Sequence, residues 1–175
     1  MTSYVGVDPG TQGSLCLLDD TGYIQFFEPP KMFKSPGPLI KEIQDAISGR
    51  ILIHSAIEDV HSMAQMAAKS NFGFGRNIQL MHTVIQLVPL KYELVTPKTW
   101  QKALNIPAKK VFDSLGMNWK QGVASVALKI YPNAKLYGPQ GGLKDGRADA
   151  LMVAHYLKLK YGKNYDGSEI ISTRN

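Results

Sequence analysis

Hydrophobic and polar positions change period several times along the chain, and each change marks an element. Ser3 to Asp8 (S-Y-V-G-V-D) reads as a short buried strand ending in an acid, and Pro9-Gly10-Thr11-Gln12-Gly13 as a turn. Ser14 to Leu18 predicts a second strand, Asp19-Asp20-Thr21-Gly22 a hairpin turn, and Tyr23 to Phe27 a third strand. Four prolines between Glu28 and Pro38 predict a loop. From Leu39 to Ile47 apolar residues fall at 39, 40, 43, 46 and 47, which is helical spacing, and Gly49 ends that helix. Ile51 to Val60 is β-rich and almost continuously apolar, with Glu58 and Asp59 near its end. That pattern suits a central parallel strand covered on both faces.

In the second half, Asn71 to Val88 reads as a helix with a glycine-containing start and an apolar face of Leu80, Val84, Ile85 and Leu87-Val88. Lys91 to Val95 predicts a short strand. Pro97 opens a helix through Leu104, with Thr96 as its N-cap. Asn105 to Asn118 reads as a mixed, partly mobile loop, Trp119 to Tyr131 as a helix, Pro132 to Lys144 as a loop, and Asp145 to Tyr161 as a final helix. The order β-β-β-α-β-α-β-α-α-α predicts an α/β fold whose sheet starts antiparallel and continues parallel. Residues 1–161 read as one domain, followed by a polar tail over 162–175 that is expected to fray.

Composition narrows the class. The chain has 175 residues, 44% of them hydrophobic and 19% charged, as in an ordinary globular domain. Its formal net charge of +6 leans toward a polyanionic partner. The excess is local: residues 91–147 carry ten basic side chains against Glu93, Asp113 and Asp145. The single cysteine, Cys16, lies in an apolar run, where a small buried hydrophobe is expected rather than a nucleophile. No signal peptide and no membrane span are expected, so a reducing cytoplasm is the default compartment.

Four carboxylates stand out by position. Asp8 ends the first strand, Glu58 lies near the end of the fourth, and Asp145 and Asp149 fall in the first turns of the last helix. Ends of parallel strands gather at the sheet edge where ligands bind. A spacing of i, i+4 puts Asp145 and Asp149 on one helix face. Carboxylates sharing a pocket repel, and a hard divalent cation removes that cost; oxygen-only ligands favour magnesium or manganese over zinc. Two such ions roughly 4 Å apart would activate a water and stabilise the leaving oxygen of a phosphodiester. Each acid alone has a plainer reading. Asp8 before Pro-Gly suits a turn, Asp145 an N-cap, and Glu58-Asp59 a solvated strand end. The set, at matching ends of elements expected to be adjacent, carries more than any member.

These residues resemble a known family. Val5-Gly6-Val7-Asp8-Pro9-Gly10-Thr11 is similar to the opening motif of RuvC-type Holliday junction resolvases, and Ala56-Ile57-Glu58-Asp59-Val60 to their second motif. Ala148-Asp149-Ala150-Leu151, preceded by Asp145-Gly146-Arg147, is similar to their last. Phe74-Gly75-Arg76-Asn77 resembles the start of their following helix, and Pro97 to Leu104 (P-K-T-W-Q-K-A-L) a phrase of phage and mitochondrial relatives. The resemblance covers about residues 3–160. It implies a ribonuclease-H-like, five-stranded mixed sheet flanked by helices.

The resemblance also implies an activity: a metal-dependent endonuclease, with Mg2+ as cofactor and Mn2+ as its substitute, that resolves four-way junctions and other branched DNA by paired symmetric nicks. It implies a homodimer, with the helix from Asn71 to Val88 as the dimer face, in a bacterial or phage-infected cell. Asp8, Glu58 and Asp149 match family metal ligands. The family's other acid falls three residues before Asp149, where this chain has Gly146, so Asp145 is expected to take that role. His61 matches an aromatic position that contacts DNA near the junction. Lys98, Lys102, Lys109, Lys110, Lys120, Lys144 and Arg147 are the candidate phosphate contacts, each of which could equally be a solvated charge. Two alternatives stay open: a YqgF-type nuclease acting on RNA, and a junction-binding protein that does not cut. Asp8 to Gly13 also looks like the phosphate turn of sugar kinases, but those pair two domains and a second phosphate loop, and this chain reads as neither.

Overall fold

The computed structural model describes residues 1–30, 35–50, 52–61, 67–88 and 90–162. The expected strand start at residue 51 and the polar tail beyond residue 162 lie outside these. Among the described residues five strands form one sheet: β1 (Thr2–Asp8), β2 (Ser14–Asp19), β3 (Ile24–Phe27), β4 (Leu52–Glu58) and β5 (Tyr92–Val95). Their order is β3-β2-β1-β4-β5. The β1–β2 and β2–β3 pairs are antiparallel, and the β1–β4 and β4–β5 pairs are parallel. The mixed sheet expected from the apolar pattern is therefore present. Its turns follow local chemistry: Asp19 Oδ1 accepts from the backbone N–H of Thr21 and Tyr23, and Gly22 takes φ +88° in the β2–β3 hairpin.

Among the described residues six helices flank the sheet: α1 (Gly37–Ile47), α2 (Ala68–Leu87), α3 (Pro97–Ala103), α4 (Lys109–Ser114), α5 (Trp119–Ile130) and α6 (Asp145–Tyr161). Thr96 caps α3 as expected, accepting from Thr99 N–H at 3.2 Å. Three boundaries differ from the sequence reading. First, α1 begins inside the proline-rich stretch, because a proline in the first helical turn needs no N–H partner. Second, α2 starts at Ala68, three residues before the expected Asn71, and continues unbroken through Gly73 and Gly75. Third, the 105–118 segment is not simply a loop. It contains α4, anchored by buried Phe112, whose ring packs edge-on against Trp119 at 5.7 Å and lies over Gly122. One buried aromatic in six residues gives too weak a periodicity to read from sequence.

The period of two along each strand splits the interior into two layers. Val5, Val7, Leu15, Leu17 and Ile57 face α1 and α2, meeting Ile43, Met81, Val84 and Ile85. Tyr4, Cys16, Leu18 and Ala56 face the other way, onto Trp100, α5 and the buried side of α6. Asp8 continues the Tyr4–Gly6 row and Glu58 continues the Ala56 row, so both acids lie on the α6 side. Gly6 makes the close approach possible: a Cβ there would strike the Ala150 carbonyl and the Ala154 amide of α6.

Candidate active site and nucleic-acid interface

The parallel register pairs Val7 with Ile57, so the next residues, Asp8 and Glu58, stand side by side at the carboxyl ends of β1 and β4. The first turns of α6 carry Asp145 and Asp149 across the same face. Asp8 and Asp149 each act electrostatically on the other acids of the set. Burial raises the Asp8 pKa from 3.8 to about 6, opposed by the Gly10 N–H that donates to Oδ1 at 2.8 Å and reinforced by the charge of Asp145. Burial likewise raises Glu58 from 4.5 to about 7, opposed by a hydrogen bond from Trp100 and reinforced by Asp8. Asp149 is held well above the carboxylate range, first by burial and then by Asp8, Glu58 and Asp145. It nevertheless keeps part of its surface open to solvent, so it borders a cleft rather than a sealed core. Asp145 is in the first helical turn, with Lys144 and not Asp145 as the N-cap residue, and its carboxylate pairs with Lys120. The Lys120 ammonium also feels Asp149 and Asp8, and its pKa is raised, chiefly by the Asp145 hydrogen bond.

The four acids thus lie on one side of the sheet and are linked electrostatically without forming a closed shell: among the described residues, no three His, Cys, Asp or Glu side chains are gathered as a metal would gather them. Burial, with repulsion between the carboxylates second, raises the proton affinity of Asp8, Glu58 and Asp149. Lys120 is the cation that acts on this set. An all-oxygen, undercompensated donor set of this kind fits a hard divalent cation, magnesium or manganese, and not zinc.

Supporting residues not singled out by sequence reasoning complete the rim. Trp100, fully buried in α3, donates its indole N–H to Glu58 Oε1 at 2.7 Å and fixes that carboxylate. Buried Asn77 of α2 donates to the carbonyls of Gly10 (2.6 Å) and Thr11 (3.3 Å), pinning the turn after Asp8. A tryptophan just past β5 inside a basic helix, and an asparagine on an otherwise apolar helix face, were the available signals. Gly146 explains the departure in the last motif. A Cβ at that position would strike the Gln12 carbonyl and come within 3.0 Å of Asp8 Oδ2, so no acid fits there and Asp145 borders the cleft instead.

The candidate nucleic-acid contacts fall into distinct places. His61 is exposed three residues beyond Glu58, its Nε2 3.7 Å from Asp59. Lys98 and Lys102 flank an open cleft on α3 of about 540 Å³. Lys110 is exposed on α4, whereas its neighbour Lys109 donates to both oxygens of Asp113 at 3.0 and 2.8 Å, which largely cancels its charge. Lys120 is the one brought into the acid cluster. Lys144 and Arg147 lie on the far side of the 10–13 turn, both facing Glu28. Among the described residues no helix is long and apolar enough to cross a membrane.

No protein-family model and no curated protein matches the sequence. Solved structures match its fold. Thermus thermophilus RuvC in complex with Holliday junction substrate superposes with a TM-score of 0.58 at 13% identity, over 93% of this chain and 96% of that one. A second Thermus thermophilus RuvC structure aligns with a TM-score of 0.49 at 15% identity, over 90% of this chain and 96% of that one. At such identity the likeness to the first of these concerns architecture alone: the chain has the ribonuclease-H-like fold of RuvC.

Proposed function

We propose that this protein is a divalent-metal-dependent endonuclease that cuts branched DNA, four-way junctions above all, by hydrolysing a phosphodiester. The reading rests on one observation: Asp8 and Glu58, neighbours at the ends of parallel strands, are coupled electrostatically to Asp149 of the helix lying on that face, and Asp8 and Asp149 also to Asp145. Asp8, Glu58 and Asp149 would hold the metal, with Asp145 beside them. Bound there, magnesium or manganese supplies Lewis-acid stabilisation of the phosphoryl group and acidifies a water.

The remaining work belongs to the chain. Trp100 keeps one Glu58 oxygen engaged and so orients the carboxylate. Asn77 holds the turn that carries Asp8. Lys120 places a positive charge at the mouth of the acid cluster, where a phosphate's developing charge would otherwise meet only carboxylates. Lys98, Lys102 and Lys110 extend positive charge along the surface and would contact the flanking strands. The protein acts as a homodimer in this reading, so that two equivalent sites meet a two-fold junction. Along α2, Phe72 is 69% exposed and lines an apolar cleft of about 530 Å³ with Leu80 and Thr83, which suits a self-complementary contact.

The test is cleavage of four-way, three-way and linear DNA, and of matched RNA, with magnesium, manganese or chelator. Metal-dependent paired incision of the four-way substrate is expected, and Asp8→Asn should abolish it while leaving junction binding intact. Preferred cutting of RNA would redirect the reading to an RNA nuclease. Binding with no incision under any metal would leave a junction-binding protein.

A further inference from the structure

Beyond the acid cluster, the 10–13 turn has a second side. There it forms one wall of a separate cleft of about 350 Å³, also lined by Glu28, Arg76, Lys144 and Arg147. Three cations face one carboxylate. Glu28 Oε1 accepts from Arg147 Nε at 2.9 Å, and Arg147 Nη2 lies 2.8 Å from the same oxygen; Lys144 Nζ is 3.9 Å from Oε2. Arg76 enters no ion pair among the described residues, and its guanidinium makes only a 3.4 Å hydrogen bond to Asn77 Oδ1. Arg147 is held in place independently, donating to the Lys135 carbonyl at 2.7 Å and stacking over Phe26 at 5.3 Å.

We propose that this cleft is a second backbone-phosphate site, and that Glu28 occupies it as a built-in phosphate mimic which the nucleic acid displaces. A carboxylate with one oxygen on a guanidinium and the other toward an ammonium reproduces two non-bridging oxygens of a phosphodiester. The cations outnumber the anion, so the cleft keeps net positive charge after Glu28 is counted. It shares the 10–13 turn with Asp8, and Asn77 ties that turn to α2 next to Arg76, so a strand seated at the acids is carried toward it. Glu28 directly follows β3, in the first residue of the proline-rich segment, and its side chain is 42% exposed, so it can leave without disturbing the sheet. The consequence is selectivity: weak or single phosphate contacts lose to Glu28, and a well-fitted branched substrate replaces it.

This proposal deepens the nuclease reading and rests on it. The experiment measures binding of a labelled four-way DNA junction in chelator, across a range of salt, to the whole chain and to Glu28→Gln, Arg76→Gln and Lys144→Gln. Glu28→Gln should tighten binding by about three- to fivefold, the size of a partly exposed ion-pair competitor removed. Arg76→Gln and Lys144→Gln should each weaken binding and flatten the slope of log affinity against log salt by about 0.9. Unchanged or weaker binding by Glu28→Gln, or unchanged slopes in the two cation variants, overturns the second site. If the unaltered protein binds the junction while the variants behave like it, the cleft alone is wrong. If the unaltered protein binds no branched DNA, the nuclease reading falls with it.

Discussion

Asp8→Asn separates the cost of the site from its use. Asn keeps the acceptor that Gly10 N–H needs, and its amide group can donate toward the neighbouring carboxylates, so the substitution removes charge with little change of shape. The Asp8 pKa stands at about 6 in the folded chain against 3.8 ordinarily, so ionising it there costs about 3 kcal/mol at roughly 1.4 kcal/mol per decade. The sign follows from proton binding. Between pH 4 and 6 the folded chain holds the Asp8 proton and the unfolded chain does not, so stability falls as pH rises through that window. The penalty is complete above pH 6 and absent below pH 4.

In chelator at neutral pH, Asp8→Asn should therefore be more stable than the unaltered protein by about 2–3 kcal/mol, on the order of 5–10 °C in Tm for a chain of this size. The advantage should vanish at pH 4, and saturating magnesium should shrink it by stabilising only the protein that binds it. Denaturant melts at three pH values, with and without magnesium, measure each arm. His54 and His155, whose pKa values burial lowers, add an opposite slope near neutrality to both proteins and cancel in the difference. Equal stability of the two proteins at neutral pH in chelator, or a gap that widens toward acid, would refute the account of Asp8 as a buried, repelled carboxylate.

Trp100→Phe should keep the core filled but leave Glu58 without its indole donor, lowering manganese affinity by about 10- to 100-fold as measured by titration calorimetry. Gly146→Ala should destabilise by about 1–3 kcal/mol in urea melts, because the added methyl meets the Gln12 carbonyl and Asp8. Lys102→Ala combined with Lys110→Ala should weaken junction binding and reduce its salt slope by about 1.8, with no change in Tm; an unchanged slope would remove α3 and α4 from the interface.

How far the sequence reached can be followed residue by residue. Strands at the N-terminus were legible because β1 and β2 are buried on both sides and read as apolar runs, and the Asp-Asp-Thr-Gly turn carries its own hydrogen-bonding chemistry. Thr96 and Pro97 announced α3 for the same reason: a cap is a local event. Segment 105–118 was misread, since α4 exists through the contact of Phe112 with Trp119 and Gly122, which no local rule contains. Among the acids, Asp8, Glu58, Asp145 and Asp149 could be named from their places at element ends.

The chain's alternation of apolar and polar positions determined which elements form and which side each residue faces, because backbone geometry imposes periods of 2 and 3.6 wherever the segment ends up. Tertiary packing alone decided that Asp8 stands beside Glu58, that no side chain fits at Gly146, that Lys120 reaches Asp145 and that Glu28 sits on Arg147. Each of these joins residues far apart in the chain, and the distance between them depends on strand register and on how closely α6 can approach Gly6.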